Sequence, residues 1–368
     1  MEKVRAFLRR KDIIFSAKRY FIDAMGAMAQ GLFCTLLVGT ILNTIGQQFH
    51  IGFLNEVIVT IGKGDGAVHY TIGGLCSAMV GPGMAVAIAG ALKAPPLVLF
   101  SLIPVGFATN YMGGAGGPLA VLFVAIVAAE LGKAVSKETK IDILVTPIVT
   151  VLAGIGFASL IAAPVGRAAS AVGQAIMWAT ELQPFFMGII VSVVIGVALT
   201  LPISSAAICA ALGLTGLAGG AAVAGCCAQM VGFAVMSFPE NRWGGLAAQG
   251  LGTSMLQMGN IVRNPRVWIP PTVASAITGP IATCIFRMEM NGAPVSSGMG
   301  TCGLVGQIGV YTGWVYDVAA GVKTAITGMD WLGLVLISFV LPAVLTWLIA
   351  IPLRKCGWIK DGDLKLDL

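Results

Sequence analysis

The sequence predicts an all-α polytopic membrane protein. Of its 368 residues, 57% are hydrophobic and only 10% are charged, whereas soluble domains carry about 25% charged residues. Residues 184–239 contain no Asp, Glu, Lys or Arg. At about 1.5 Å per residue, one helix of that length would far exceed a hydrocarbon core of about 30 Å, so the chain has to turn and cross again.

Ten membrane-spanning helices are predicted from the apolar runs. They cover about 24–47, 70–92, 95–109, 118–136, 141–163, 184–201, 216–237, 267–288, 295–316 and 331–353. Seven basic residues precede the first span, and others lie at the ends of the second, the fourth and the tenth. The positive-inside rule therefore places both termini in the cytoplasm, and the loop that contains His50 and His69 outside.

Residues 1–20 predict a cytoplasmic amphipathic arm. They combine the seven basic residues with apolar ones such as Phe7, Ile14 and Phe15, a mixture typical of a helix that lies on an anionic membrane surface. Membrane lipid is therefore an expected partner. The net charge of +6 is explained by this topology and does not indicate nucleic-acid binding.

The sequence indicates no metal, no cofactor and no catalytic centre. The eight cysteines lack metal-type spacing and are interpreted as small, mostly buried side chains, and two histidines are too few ligands for a zinc site. No pair of nucleophile and base is visible. The glutamates considered for a catalytic role are Glu181, Glu240 and Glu289. They lie at span ends, where solvated or interfacial roles are expected. We therefore expect a protein that is not an enzyme.

Three segments interrupt the apolar pattern in the second half of the chain. They are Leu201–Gly213, Gln249–Pro265 and Met290–Gln307. Non-helical backbone at membrane depth is tolerated only where protein covers it or where it lines a watery cavity. We therefore expect two or three re-entrant or broken segments around a shared polar cavity.

The candidate solute-binding residues are the polar side chains of these segments. They are Ser204, Ser205, Gln257, Asn260, Arg263, Asn264, Asn291, Ser296 and Ser297. Unpaired amides in a bilayer are costly, so the amides are expected to face a ligand. Their hydroxyl and amide groups both donate and accept hydrogen bonds, which suits many small polar solutes.

The segment around Asn264 is expected to be a broken helix. Gly252 and Gly259 tolerate the backbone conformations of a re-entrant turn, and Pro265 disfavours helical geometry in the residue before it, so Asn264 should lie at a break. Arg263 is available to pair with a negative group on the solute. Arg266 lies two residues before the Trp268 interface anchor. A role in the solute site and a role as a marker of the membrane boundary explain it equally well.

The order of these features resembles a known family. From Lys140 onward, "IDILVTPIVTVLAGIGFASLIAAPVG", "LPISSAAICAALG", "GTSMLQMGNIVRNPRVWIPPTV" and "NGAPVSSGMG" follow one another as they do in the membrane-embedded IIC component of the sugar phosphotransferase system, in particular its fructose-type branch. The whole chain also resembles the stand-alone IIC-like proteins of the perfringolysin regulator-like group. The resemblance implies an IIC-like fold in a bacterial cell membrane, a homodimer and an alternating-access mechanism.

The resemblance also implies a division of the chain. After the arm, residues 21–183 would form the scaffold and dimerisation spans, 184–320 the substrate domain with the re-entrant segments, and 321–368 the last span and a short cytoplasmic tail. Small residues let helices approach closely in lipid, and the early spans are rich in them.

The sequence departs from the sugar-transporting members of that family at two positions. Their second re-entrant segment carries a glutamate that contacts sugar hydroxyls, and here that position is Gln257 or Met258, depending on the alignment. A family histidine has no counterpart in "VSSGMG". The spans also leave no room for the phosphocysteine and phosphohistidine domains that sugar phosphorylation requires. We therefore expect the fold and the mechanism of the family without phosphorylation by this chain.

Two functions remain open from the sequence. The first is a permease-like transporter of a small polar solute, with the broken segments lining its cavity. The alternative is a membrane-embedded sensor or regulator that binds a ligand in the same cavity without transporting it.

Overall fold

The computed structural model describes residues 2–63 and 66–366, which are mostly helical. They form two compact units, Met1–Arg167 and Ala168–Leu368. The boundary between the units falls within one long helix, α9 (Asp142–Thr180).

The first unit contains eight helices before α9 and a small β-hairpin among its described residues. The helices are α1 (Glu2–Arg10), α2 (Ala24–Leu32), α3 (Val38–Gln48), α4 (Gly52–Asn55), α5 (Ile72–Ala78), α6 (Val80–Ala91), α7 (Pro96–Gly113) and α8 (Gly117–Val135). Strands β1 (Val59–Ile61) and β2 (Val68–Tyr70) pair antiparallel, with Thr60 opposite His69. Two π-helical turns make α2 and α3 part of one helical stretch from Arg19 to Gln47.

The second unit continues with nine further helices, several of them very short. They are α10 (Pro184–Thr200), α11 (Ser205–Leu212), α12 (Gly216–Met236), α13 (Phe238–Ala247), α14 (Met258–Arg263), α15 (Ile269–Pro280), α16 (Val305–Ala319), α17 (Gly328–Val335) and α18 (Leu341–Lys355). Single π or 3₁₀ turns occupy Ala248–Gly252, Ser254–Gln257, Pro265–Trp268, Ile281–Ile285, Pro294–Gly298, Cys302–Leu304 and Leu336–Val340. Short and broken helices are therefore concentrated in this unit.

Five helical stretches of the described chain are long and apolar enough to cross a membrane, or six if the bent pair α5 and α6 counts as one span. One of the five, Pro96–Val135, folds back on itself: Gly114 has a φ of +51°, and Gly132 of α8 lies against Val98 of α7. The polytopic all-α membrane fold is thereby confirmed. Each of the ten predicted spans contains helix, but α9 runs to Thr180 instead of 163, and the span predicted from 295 becomes regular helix only at Val305.

Glycines bring the helices of the first unit into backbone contact, as the sequence predicted. A Cβ added to Gly31 of α2 would collide with the carbonyl oxygen of Gly83 in α6, and one added to Gly81 of α6 would collide with that of Gly106 in α7. Because lipid tails are as apolar as the side chains, close packing of this kind holds membrane helices together.

A buried ion cluster attaches the N-terminal arm to this unit. The Nζ of Lys133, only 2% exposed, lies 2.9 Å from Oε2 of Glu130 and donates to the carbonyl oxygens of Asp12 (2.8 Å) and Leu92 (3.1 Å). Arg19 donates to Oδ2 of Asp12 at 2.5 Å, and this hydrogen bond holds the pKa of Asp12 below its ordinary value. The Asp12 carboxylate is therefore ionised at neutral pH. Arg10 and Lys11 both pair with Glu138, so the arm is attached from residue 10 onward.

Helix α12 forms the centre of the second unit. Almost all of its side chains are buried, and it packs on α10, α15 and α18. A Cβ on Gly225 would collide with the backbone of Ser192 in α10, so α12 and α10 are in backbone contact. Buried apolar side chains such as Met290, Val310 and Trp314 complete the core around it.

The substitution Lys133→Met tests the N-terminal cluster. Removing the ammonium leaves the Glu130 carboxylate buried without its cationic partner, with only the Tyr20 hydroxyl (3.1 Å) still donating to it, a loss that costs about 3–5 kcal/mol of unfolding free energy. Denaturant titration in detergent micelles, followed by tryptophan fluorescence, measures that loss. The control is Lys140→Met, whose side chain is exposed and whose loss should leave stability unchanged; equal stability of both variants and the wild type would contradict the role assigned to Lys133.

Candidate functional site

The segment 248–268 contains the polar stretch Gln249–Pro265 that the sequence singled out as broken. Its helical turns are interrupted at Thr253, with φ −157° and ψ 139°, and at Asn264, with φ −140° and ψ 92°. The prediction that Asn264 lies at a break is confirmed. Between the two breaks, Ser254 to Arg263 form a 3₁₀ turn and the short helix α14.

Gln229 of α12 holds both ends of this broken segment. Its side chain is fully buried, and its Oε1 accepts hydrogen bonds from Nε1 of Trp268 (2.9 Å) and Oγ1 of Thr200 (3.3 Å). The Thr200 hydroxyl in turn shares a hydrogen bond of 2.8 Å with Ser254. One amide inside the central helix thus binds the end of the segment at Trp268 directly and is linked through Thr200 to Ser254, directly after the first break.

A chain of buried amides runs through the segment. Gln249 donates to Oγ of Ser237 (2.9 Å), Gln257 donates to Oε1 of Gln249 (2.8 Å), and Asn260 donates to Oε1 of Gln257 (2.8 Å). Gln249 and Gln257 are fully buried, and Asn260 is 5% exposed. We call Gln257, Asn260 and Asn264 the amide cluster. Each amide nitrogen carries two hydrogens, so one hydrogen bond within this chain leaves a second N–H that needs an acceptor.

The remaining donors of the amide cluster bind the end of the chain. We call residues 358–366 the C-terminal tail. Gln257 donates to the carbonyl oxygen of Leu364 (3.1 Å), and Asn260 donates to that of Lys365 (2.9 Å). Asn264 donates to the carbonyl oxygen of Trp358 and to Oδ2 of Asp363, both at 2.8 Å. The amides are therefore not used for packing between helices, but in this structure the tail accepts from them.

Asn241 and two apolar side chains also hold the tail. Asn241 donates to the carbonyl oxygen of Leu364 (2.7 Å) and accepts from the backbone N–H of Leu366 (2.8 Å). Ile359 and Leu364 are buried. The tail begins directly after Gly357, whose φ of +71° is readily adopted by glycine.

The two arginines beside the amide cluster are exposed. The Cζ of Arg266 lies 5.1 Å from the ring centroid of Trp358 in the tail, a cation–π distance. Arg263 is in the last turn of α14, next to Asn264. The rim of the cluster is therefore positive, apart from the Asp363 carboxylate that Asn264 binds.

The other predicted site residues lie together in a second group. Oγ of Ser205 donates to the carbonyl oxygen of Gly298 (2.8 Å), and Oγ of Ser297 donates to that of Leu214 (2.6 Å). Ser204 caps α11 by accepting from the N–H of Ala207 (3.1 Å). These contacts tie α11 to the 3₁₀ turn at Pro294–Gly298, whose Ser296 is buried.

Asn291 completes this second group. Its Oδ1 accepts from the N–H of Gly216 (3.1 Å), and its Nδ2 donates to Glu289 (3.1 Å) and Asp317 (2.9 Å). No hydrogen bond among the described residues joins the second group to the amide cluster directly. Outside both groups, Oγ1 of Thr301 donates to the carbonyl oxygen of Gly250 at 2.5 Å and so connects the segments that carry them.

A pocket of about 420 Å³ lies beside the tail, between α12, α13 and α18. Its lining is mostly apolar, and its charged members, Arg354 and Asp361, are paired with each other at 3.2 Å. Such a pocket is poorly suited to a polar solute, because it offers few groups for hydrogen bonding. The amide cluster is the better match in chemistry.

Sequence reasoning missed Gln229, Gln249, Asn241 and the tail. The signal for Gln229 was present: it is an amide in the middle of a charge-free span, and such a group must find a partner in a membrane. The tail carried no comparable signal, because its contacts to the cluster use mainly backbone carbonyl oxygens, which every residue has.

The comparison with protein families returned one match. The model of the family described as "Phosphotransferase system, EIIC" matches residues 22–366, which is nearly the whole chain. Comparisons with curated proteins and with solved structures returned no match. The fructose-type and regulator-like assignments stay predictions, but a match of this extent settles the family: the chain belongs to the EIIC family of the phosphotransferase system, the membrane-embedded transport components of that system.

Proposed function

We propose that this chain is a permease that binds a small polar solute at the amide cluster and carries it across the membrane by alternating access. Sugars and polyols are the first candidates, since the chain belongs to a family of sugar-transport components. The observation that carries the proposal is the run of buried amides in a broken segment of a membrane protein. Irregular backbone at membrane depth occurs where it lines a site or a cavity, and transporters bind solutes at such discontinuous helices.

The chemistry of the cluster supports an oxygen-rich solute. Gln257, Asn260 and Asn264 point donors toward a row of oxygen acceptors, and amide groups recognise hydroxyl and carbonyl oxygens without requiring charge. Arg263, exposed next to the cluster, would attract a solute that also carries a negative group. The second group, with Ser204, Ser205, Asn291, Ser296 and Ser297, would form a further wall of the cavity when the broken segments move.

Three further parts of the proposal follow from the family and the charge pattern. We expect a homodimer in which residues 21–183 form the scaffold and 184–320 carry the solute. We expect both termini on the cytoplasmic side. We also expect α1 to lie on the lipid surface, since Val4 is 61% exposed and Phe15, just after the helix, is 75% exposed, next to a run of basic residues.

Alanine substitutions in the amide cluster test the solute site. Gln257→Ala and Asn260→Ala should each weaken solute binding by about 1–3 kcal/mol, because a hydrogen-bonding group of the bound solute loses its partner. Binding of D-mannitol, D-glucitol, D-glucose and D-fructose to the purified protein is measured by thermal stabilisation. The same compounds, radiolabelled, are then followed into sealed proteoliposomes; binding without uptake would favour the sensor over the permease.

The matched control for these variants is Gln183→Ala. Gln183 is exposed and precedes α10 without a capping side-chain hydrogen bond, so its loss should leave binding and uptake unchanged. Wild-type affinity in both cluster variants would place the solute site elsewhere in the protein.

The orientation is tested by labelling from one side of the membrane. Thr60→Cys in the β-hairpin and Lys360→Cys in the tail are introduced singly, with the exposed native cysteines Cys34, Cys284 and Cys356 replaced by serine. In right-side-out vesicles, a membrane-impermeant maleimide should label position 60 and leave position 360 unlabelled until the membrane is opened. Labelling of both positions from outside would contradict an even number of spans.

A further inference from the structure

The C-terminal tail occupies the hydrogen-bonding positions that a solute would need at the amide cluster. Each of the three amides has two N–H groups. For Gln257 and Asn260, one is used within the amide chain and the other donates to a tail carbonyl oxygen. For Asn264, both donate to the tail. A solute that binds these donors must therefore replace the tail.

The tail acceptors resemble the oxygens of a polyhydroxylated solute. Leu364 and Lys365 present consecutive carbonyl oxygens to Gln257 and Asn260, and Asp363 presents a carboxylate oxygen to Asn264. These are neighbouring oxygen acceptors on one chain, held in front of a row of donors. A sugar or polyol offers the same type of group on consecutive carbons.

The contacts of the tail would allow all of its residues to leave the amide cluster together when a solute binds. It follows Gly357 at the end of α18, and two buried side chains, Ile359 and Leu364, anchor it. Turns inside the tail keep its shape: Asp363 accepts from the N–H of Lys360 (2.9 Å), and Lys365 donates to the carbonyl oxygen of Gly362 (3.2 Å). Most of its hydrogen bonds to the rest of the protein come from four amide side chains, of which three form the cluster.

We propose that residues 358–366 are an intramolecular competitor of the solute, which closes the amide cluster until a solute with neighbouring oxygen acceptors displaces it. This inference rests on the proposed solute site. Because the open form is only a fraction of the molecules, the apparent dissociation constant of the solute is the intrinsic constant divided by that fraction. By reciprocal linkage, the solute must weaken tail docking by the same factor as the tail weakens solute binding.

The test compares the full chain with three variants. One lacks residues 358–368. Asp363→Ala removes one of the two acceptors of Asn264 and the side-chain hydrogen bond to the N–H of Lys360, but keeps both apolar anchors. Asp361→Ala is the matched control, since the Asp361 side chain is fully exposed and contacts Arg354, away from the amide cluster. Binding of D-mannitol, D-glucitol, D-glucose and D-fructose is measured by thermal stabilisation, and hydrogen exchange of the tail amides is followed by mass spectrometry with and without each compound.

The expected result is a gain of affinity where the tail is weakened. The shortened chain and Asp363→Ala should bind at least one compound about tenfold or more tightly than the full chain, which corresponds to a tail docked in about nine molecules of ten or more. Asp361→Ala should bind like the full chain. Adding that compound to the full chain should accelerate exchange at the N–H of Leu366, which docking protects through Asn241.

Other outcomes overturn the inference and separate it from the proposed function. Equal affinity in the full chain, Asp363→Ala and the shortened chain would leave the permease site standing and exclude competition by the tail. A loss of affinity on shortening would make the tail part of the site, which also contradicts competition. If no form binds any of the four compounds, the proposed function fails and the inference fails with it. If the shortened chain does not fold, the comparison of solute affinity between Asp363→Ala and Asp361→Ala decides.

Discussion

The buried amide of Gln229 is the interaction on which the broken half of the second unit depends. A helix that is interrupted inside a membrane exposes backbone and side-chain groups that no water can satisfy, so each interruption needs a partner within the protein. Gln229 accepts from Trp268 and Thr200 and donates toward Thr272 (3.3 Å). Through these bonds one residue of the central helix fixes both ends of the segment that carries the amide cluster.

That arrangement requires helices in backbone contact. Gly225, one turn before Gln229, lets α12 touch α10 at Ser192, and Ser192 donates across to the carbonyl oxygen of Ser275 in α15 (2.7 Å). With a larger side chain at Gly225, α10 would move away and Thr200 would lose its distance to Gln229. In this unit the hydrogen bonds of the buried polar side chains therefore depend on close helix packing, because they form only where glycine lets the helices come into backbone contact.

Both ends of the chain are held by the same physical means. In the first unit, Lys133 donates to the backbone carbonyl oxygen of Asp12; in the second, Gln257 and Asn260 donate to those of Leu364 and Lys365. The two attachments differ in what would happen if they opened. The ammonium of Lys133 would keep a buried carboxylate as its partner, whereas the amides would be left with unpaired donors, which costs free energy unless another acceptor replaces the tail.

The sequence by itself determined the membrane class, the presence of helix in every predicted span, and the break at Asn264, but it placed the end of α9 and the start of α16 wrongly by more than a turn. Charge-free apolar runs have few structures available in a membrane, and Pro265 and its neighbouring glycines act on the backbone locally, so the break at Asn264 could be predicted without any long-range contact. The resemblance of residues from Lys140 onward likewise led to the family that covers residues 22–366.

Only the tertiary structure decided what the polar residues contact. The sequence grouped nine candidates in one cavity. The structure places three of them in the amide cluster, bonded to the tail, and five in the group around Asn291, whose members bond mainly to backbone atoms of neighbouring segments. The ninth, Arg263, is exposed beside the amide cluster. Many of the partners of the other eight are peptide carbonyl and N–H groups, up to 107 residues away along the chain. Every residue has such groups, so the pattern of side chains in the sequence cannot predict which of them will be partners. Their positions are set by the packing of the folded chain.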